Sequence, residues 1–258
     1  MLVVTLAALL ANLSLAAPAP PTLDYQILEL QAHPPQLFTQ GLLVDGPWLY
    51  ESSGGYGKSL LARYKAADGS LLASKKLPKD LFAEGLTLFQ DYFYLLTWRK
   101  GEMRVFDRNW NPVGQHYYLG EGWGLTNDGQ YLIVSDGTDR LHFYQPEPFE
   151  KVKSITVTGG DQRWTAINEL EYVNGVIWAN RWFSDQIIAI DPTSGQVLAV
   201  VDFSELARGH RTGANAREKV LNGLAWSEQR QAMWVTGKLW DRRYLVTLPA
   251  VTPPPSSR

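Results

Sequence analysis

From Gly85 to Trp98 the chain reads as an apolar-rich run, a polar break at Gln90-Asp91, and a second apolar-rich run. That pattern predicts strand, tight turn, strand. The opening Ala83-Glu84-Gly85-Leu86-Thr87 has four relatives: Gln40-Gly41-Leu42, Trp123-Gly124-Leu125, Asn168-Glu169-Leu170 and Asn222-Gly223-Leu224. The spacings between the five are 44, 39, 45 and 54 residues. Repeats of that period built from short strands predict a β-propeller with one blade per copy. The residues leading the shared pair are Gln40, Glu84, Trp123, Asn168 and Asn222. They are expected to ring one mouth of a central channel, with Glu84 as the one ionisable member.

The rest of each copy follows the same order. First hairpins turn at Asp45-Gly46-Pro47, Gln90-Asp91, Asn127-Asp128-Gly129, Asn174-Gly175 and Ser227-Glu228-Gln229. Asn-Gly and Asp-Gly are strong turn signals because both residues tolerate positive φ. Third strands are predicted from Leu60 to Tyr64, Met103 to Phe106, Leu141 to Tyr144, Gln186 to Ile190 and Tyr244 to Leu248. Fourth strands follow in four copies: Ser70 to Leu77, Val113 to Leu119, Lys151 to Val157 and Gln196 to Phe203. The fifth copy has none. An unassigned strand, Tyr25 to Leu30, is left at the other end, and placing it beside Tyr244 to Leu248 closes the ring and covers an open edge. The fold reading is an all-β, five-bladed propeller closed by the N-terminal strand in the last blade, spanning residues 23–250. Two longer connections, Thr158 to Ile167 and the basic Leu206 to Val220, are read as loops that either wall a site or run as solvated surface, the second more readily as surface.

Composition changes this picture at one end. Residues 1–17 are apolar and finish in small residues, which suits a secretory signal peptide although the basic start is missing. The run is short for a membrane anchor. Export, to the periplasm or the medium, is the expectation. Cysteine is absent, so the exported chain would rely on its core and strand ladders alone. A formal net charge of −2 provides no field to recruit nucleic acid or anionic lipid.

The four histidines, at 33, 116, 142 and 210, show no ligand spacing and read as surface or packing residues. No metal site is expected, and no Gly-rich phosphate loop or nucleophile elbow is present. Interest falls on the ring and on the ends of the second strands, which antiparallel pairing returns to the same mouth. Trp98 should stand near Glu84, Trp182 near Asn168, and Lys238 near Asn222. A carboxylate among indoles is partly desolvated, which raises its pKa toward the range useful for proton transfer. From these residues alone, two readings stand level: a working site, or a Glu84 that caps a strand end or pairs with Lys238 while the indoles pack between blades.

The motifs, taken in order, resemble the glutaminyl-peptide cyclotransferases (glutaminyl cyclases) of the plant and bacterial type. The resemblance is carried by Phe38-Thr39-Gln40-Gly41-Leu42, Tyr50-Glu51-Ser52, Ala83-Glu84-Gly85-Leu86-Thr87, Leu96-Thr97-Trp98, Gly120-Glu121-Gly122-Trp123-Gly124-Leu125-Thr126, Asn168-Glu169-Leu170-Glu171-Tyr172, Ala179-Asn180-Arg181-Trp182, Leu221-Asn222-Gly223 and Val235-Thr236-Gly237-Lys238-Leu239-Trp240. It implies a five-bladed propeller that converts N-terminal glutamine to pyroglutamate with release of ammonia, without cofactor or metal. It implies Glu84, Lys238 and Asn168 as catalytic residues. Phe38, Gln40, Phe82, Trp98, Trp123 and Trp182 are implied as substrate-binding residues. Partners would be peptides or proteins with N-terminal glutamine, served by a monomer. Arg181 and the basic connection depart from the family pattern and put substrate preference in question. The competing readings are a metal-dependent propeller hydrolase, for which one ring carboxylate is too few, and a non-catalytic peptide-binding propeller.

Overall fold

A computed structural model describes residues 18–253. The expected signal peptide, residues 1–17, lies outside the described residues. The chain is a five-bladed β-propeller, as the repeat predicts. The first blade is Thr39–Asp45, Trp48–Ser53, Leu60–Lys65 and Leu71–Lys76. The second is Ala83–Phe89, Tyr92–Thr97, Glu102–Phe106 and Pro112–Tyr117. The third is Leu125–Asn127, Leu132–Ser135, Arg140–Gln145 and Glu150–Thr156. The fourth is Ile167–Val173, Val176–Arg181, Gln186–Ile190 and Val197–Asp202. The fifth is Leu221–Ser227, Ala232–Gly237 and Arg242–Thr247, with Gln26–Ala32 as its outer strand.

The seam is where the unpaired strands placed it. Leu30 pairs with Tyr244 and Ala32 with Arg242, antiparallel. Three features were not foreseen. Thr22–Leu23 adds a parallel fifth strand to the edge of the fourth blade. The connection after Val157 holds a small hairpin, Thr158–Gly159 with Gln162–Arg163. The basic connection begins in a short helix, Ser204–His210, whose Ala207 and His210 are buried. Of the surface and packing readings, His33 and His210 take the packing one, and both are buried. His33 Nε2 donates to Glu51 at 3.0 Å and its Nδ1 faces the Trp240 carbonyl at 2.7 Å. The His210 ring stacks on Trp240 at 4.1 Å.

Alternating apolar positions from facing sheets fill the spaces between blades. One such cluster joins Trp178, Ile187 and Val201 of the fourth blade to Leu224, Met233 and Val246 of the fifth. Nearer the axis the inner strands approach until backbone meets backbone. A Cβ on Gly85 would lie 2.4 Å from the Leu125 nitrogen, and one on Gly124 would lie 2.0 Å from the Asn168 oxygen. Gly41, Gly85 and Gly124 follow their ring residues for this reason, whereas Gly223 holds a φ of 125° that favours glycine. The fourth copy has Glu169 instead. Its buried carboxyl accepts from the backbone N–H of Leu42 at 3.2 Å and of Leu224 at 2.8 Å, so it ties the first, fourth and fifth blades together. Burial, reinforced by Glu171, holds its pKa well above the usual carboxylate range.

Replacing Glu169 with Ala would strand both N–H groups. Each buried donor left unpaired costs about 1–3 kcal/mol. Glu169→Ala is expected to lower the thermal midpoint clearly, and Glu169→Gln, which keeps an acceptor, to lower it less. Thermal unfolding of the three proteins checks this, and equal midpoints would remove Glu169 from its tying role.

Candidate active site

The ring residues owe their positions to irregularities in the inner strands. Pairing shifts register between Thr39 and Gly41, Ala83 and Leu86, Ile167 and Leu170, and Leu221 and Leu224. Gln40, Glu84, Asn168 and Asn222 each lie in one of these bulges. A bulge frees a residue from the ladder and re-aims its side chain, which turns a strand position into a site position.

Side chains at the ends of the second strands hold the bulged backbone. Ser52 Oγ donates to the Glu84 carbonyl and Ser135 Oγ to the Asn168 carbonyl, both at 2.6 Å. Asn180 Oδ1 accepts from the Gly223 N–H at 2.9 Å. These strand ends thus divide in function. Trp98, Trp182 and Lys238 reach the mouth, whereas Ser52, Ser135 and Asn180 grip the neighbouring blade.

Phe38, Gln40, Phe82, Glu84, Trp98, Trp123, Asn168, Trp182 and Lys238 line one cavity of about 200 Å³. Phe82 meets Phe38 edge-on at 6.2 Å and Trp98 at 5.3 Å. Trp123 meets Trp182 edge-to-face at 5.1 Å. Trp123 can lie there because residue 137 is glycine, where a Cβ would come within 2.6 Å of the indole.

The polar groups sit among these rings. Glu84 is only 4% exposed, and burial pushes its pKa well above the usual carboxylate range, with Lys238 opposing the shift. Gln40 Nε2 donates to Glu84 Oε1 at 3.1 Å, and Gln40 Oε1 faces Asn222 Nδ2 at 3.4 Å. Gln40 is therefore engaged in orienting Glu84. Lys238 is 3% exposed, and burial lowers its pKa to about 8 against the pull of Glu84. Its Nζ stands 4.6 Å from the centre of the Phe38 ring and 5.9 Å from that of Trp182. Among the described residues it makes no direct ion pair with Glu84. Asn222 does not line the cavity, and its Nδ2 donates to the Thr39 carbonyl at 2.9 Å. The buried Oδ1 of Asn168 has no hydrogen-bond partner among the described residues. Among the described residues no group of three or more His, Cys, Asp or Glu is placed to hold a metal ion.

The cavity can seat one small polar group against one buried carboxyl. A family profile described as glutamine cyclotransferase matches residues 1–248. The chain belongs to that family. It is 36% identical over 234 residues to a glutaminyl-peptide cyclotransferase of Arabidopsis thaliana, covering 88% of this chain and 73% of that one. Its fold matches the crystal structure of Myxococcus xanthus glutaminyl cyclase with a TM-score of 0.80 at 32% identity, over 91% of this chain and all of that one.

Arg181, the departure from the pattern of the cyclotransferases, does not line the cavity. Its guanidinium lies over Trp164 at 4.7 Å and donates to Gln186 Oε1 at 3.3 Å. A cavity feature that sequence reasoning missed is Glu121. One oxygen accepts from both Trp98 Nε1 at 2.7 Å and Trp123 Nε1 at 3.0 Å. The other accepts from Arg99 Nε at 3.0 Å, and Arg99 covers the Trp98 ring at 3.9 Å. Partial burial pushes the Glu121 pKa up, but the donations from Trp123, Trp98 and Arg99 outweigh it and hold the carboxylate below its usual range. Its place beside Trp123 in Gly120-Glu121-Gly122-Trp123 was a usable signal.

Glu121 thus fixes two indole walls of the cavity through one oxygen. Hydrogen bonds to a charged acceptor contribute about 1.5–3 kcal/mol each, so Glu121→Ala is expected to raise KM for a Gln-initiated peptide about tenfold or more. The fall in kcat should be smaller, and Glu121→Gln, which keeps an acceptor oxygen, should recover most of the loss. Steady-state kinetics check this, and an unchanged KM in Glu121→Ala would refute it.

Proposed function

We infer that this chain converts the N-terminal glutamine of peptides or proteins to pyroglutamate and releases ammonia, with Glu84 as its proton shuttle. The observation that carries the assignment of Glu84 is one deeply buried carboxyl, its pKa raised, facing a narrow cavity walled by rings. Export after loss of residues 1–17 belongs to the same proposal and rests on their apolar pattern.

The reaction is intramolecular. The α-amine attacks the carbon of its own side-chain carboxamide, and a five-membered ring closes. Holding the folded-back conformer removes much of the entropic barrier. Phe38, Phe82, Trp98, Trp123 and Trp182 supply walls that favour that compact shape over an extended one. As the new C–N bond forms, Glu84 takes a proton from the amine nitrogen. It then delivers a proton to the carboxamide nitrogen, the old C–N bond breaks, and ammonia leaves. Glu84 ends as it began, so atoms and charge balance.

Its raised pKa suits the second half of this cycle, because a weaker acid holds its proton near neutral pH until the leaving group needs it. Gln40 keeps the carboxyl aimed. The oxygen of the attacked carboxamide gains negative charge, and Lys238 is the cation available to stabilise it. Asn168 brings a carboxamide to the same cavity, whose N–H groups suit that oxygen.

Glu84→Gln preserves size and hydrogen bonding but not proton exchange. The expected result is a fall in kcat of roughly two to four orders of magnitude. The thermal midpoint should hold or rise, because a buried ionisable group is lost. Ammonia release from a Gln-initiated dipeptide, measured beside thermal unfolding, tests both. Near-normal kcat in a well-folded variant would overturn the assignment, and a wild type that binds such peptides without releasing ammonia would favour a non-catalytic propeller.

The pH profile carries a second expectation. The substrate amine must be unprotonated to attack, and free α-amino groups titrate at about 7.7–8.0, so kcat/KM should rise with pH toward that range. Lys238 titrates at about 8, so its cation is lost as pH rises further, and kcat/KM should fall on the alkaline side. In Lys238→Met the whole profile should drop and its alkaline limb should disappear. An alkaline limb of the same midpoint in that variant would show that Lys238 is not its source.

A further inference from the structure

The wall of the cavity continues outward at one place. Trp182 is 37% exposed, and the ring of Phe183, 66% exposed, stacks on it at 4.4 Å. Phe183 has a φ of 57°. A bulky side chain rarely adopts that left-handed conformation, and such strain concentrates where ligands are held. Folding alone gives no return for placing a large apolar ring in water on strained backbone.

Beyond Phe183 lies a groove lined by Phe183, Arg211, Ala216, Arg217 and Val220. It is joined to the cavity on a second side, where the Val220 carbonyl accepts from the Lys238 N–H at 2.9 Å. The segment that forms it is basic. Residues 208–219 carry Arg208, Arg211, Arg217 and Lys219 against the single carboxylate Glu218, in a chain whose formal net charge is −2. Arg211 is already paired with Asp185. Arg217 is exposed and forms no ion pair among the described residues.

We propose that this groove is the subsite for the residues that follow the glutamine, and that it selects peptides with an acidic side chain at the second or third position. The proposal rests on the cyclase reading above. Successive Cα atoms are about 3.8 Å apart, so a peptide whose first residue fills the cavity passes Trp182 and reaches Phe183 with its next one or two residues. A glutamate or aspartate there lays its methylene stem on the Phe183 ring and directs its carboxylate to Arg217. The guanidinium offers a planar, bidentate match to that group.

The test uses amidated tripeptides: Gln-Ala-Ala, Gln-Glu-Ala, Gln-Ala-Glu and Gln-Ala-Lys. Amidation removes the terminal carboxylate as a rival ligand. Ammonia release is followed for wild type and Arg217→Glu. An exposed ion pair of this kind corresponds to roughly a two- to fivefold preference. Wild type is expected to favour the better acidic peptide over the neutral one by that factor in kcat/KM, and to disfavour the lysine peptide. The preference should shrink at high ionic strength, since exposed charges are screened. Arg217→Glu should invert the order of the acidic and lysine peptides. Turnover of the neutral peptide with no acidic preference, or an unchanged order in Arg217→Glu, overturns the subsite and leaves the reaction standing. Absence of ammonia from every peptide overturns the reaction, and the subsite with it.

Discussion

Five inner strands crowd one axis, and their closeness is the constraint on which the rest of the molecule depends. The 2.0 Å gap between a Cβ on Gly124 and the Asn168 carbonyl leaves no room for a side chain between blades at that level. Glycine must follow the ring residue wherever strands meet backbone to backbone. The ladder cannot stay regular through such a point, and four of the five inner strands bulge there. The bulge that relieves crowding is also what aims Gln40, Glu84 and Asn168 into the cavity. Packing and placement of the polar groups are one event.

The same crowding sets the electrostatics. Water is scarce around the inner strands, so carboxyl groups there carry raised pKa values, and each needs a partner. Glu169 finds two backbone donors and Glu171 finds the Trp226 N–H at 2.7 Å, so both act as ties. Glu84 differs. It faces a cavity instead of a neighbouring strand, and its side chain meets one carboxamide, Gln40, with Lys238 further off. A buried carboxyl bound to the backbone of a neighbouring strand is committed to that bond. One left with spare valence toward a cavity can trade a proton with whatever enters. That difference in partners, more than burial itself, separates Glu84 from the other buried acids.

Much of the architecture was legible because it repeats. The Gly-Leu pairs and the Asp-Gly or Asn-Gly turns recur with a period that physics restricts to few folds, and an unpaired strand at each end leaves one economical closure. The nine cavity residues could be named because the family motifs run in order along the chain. Other features were opaque for identifiable reasons. Glu121 looks like a solvent residue in a Gly-rich turn, and its role depends on two indoles brought together from different blades. Thr22–Leu23 is too short to announce a strand, and the helix at Ser204–His210 sits in a stretch whose charge suggested only a loop. His33 reads as a lone histidine until the seam sets Glu51 against it.

The aromatic walls add a final constraint. Trp98 and Trp123 both donate to a single oxygen of Glu121, so their rings cannot turn independently. The Trp182 ring lies between those of Trp123 and Phe183, and its indole N–H makes no hydrogen bond among the described residues. One side of the mouth is therefore anchored by a charge-assisted hydrogen bond and the other by stacking, which yields more easily. A peptide is larger than the cavity, and only its first residue can be enclosed. The rigid side suits the ring-closing residue, whose geometry must be exact to within fractions of an ångström for attack. The stacked side, opening toward Phe183, is where a chain of variable sequence can leave. The fold thus separates the demand for fixed geometry from the demand for tolerance by assigning each to a different kind of contact.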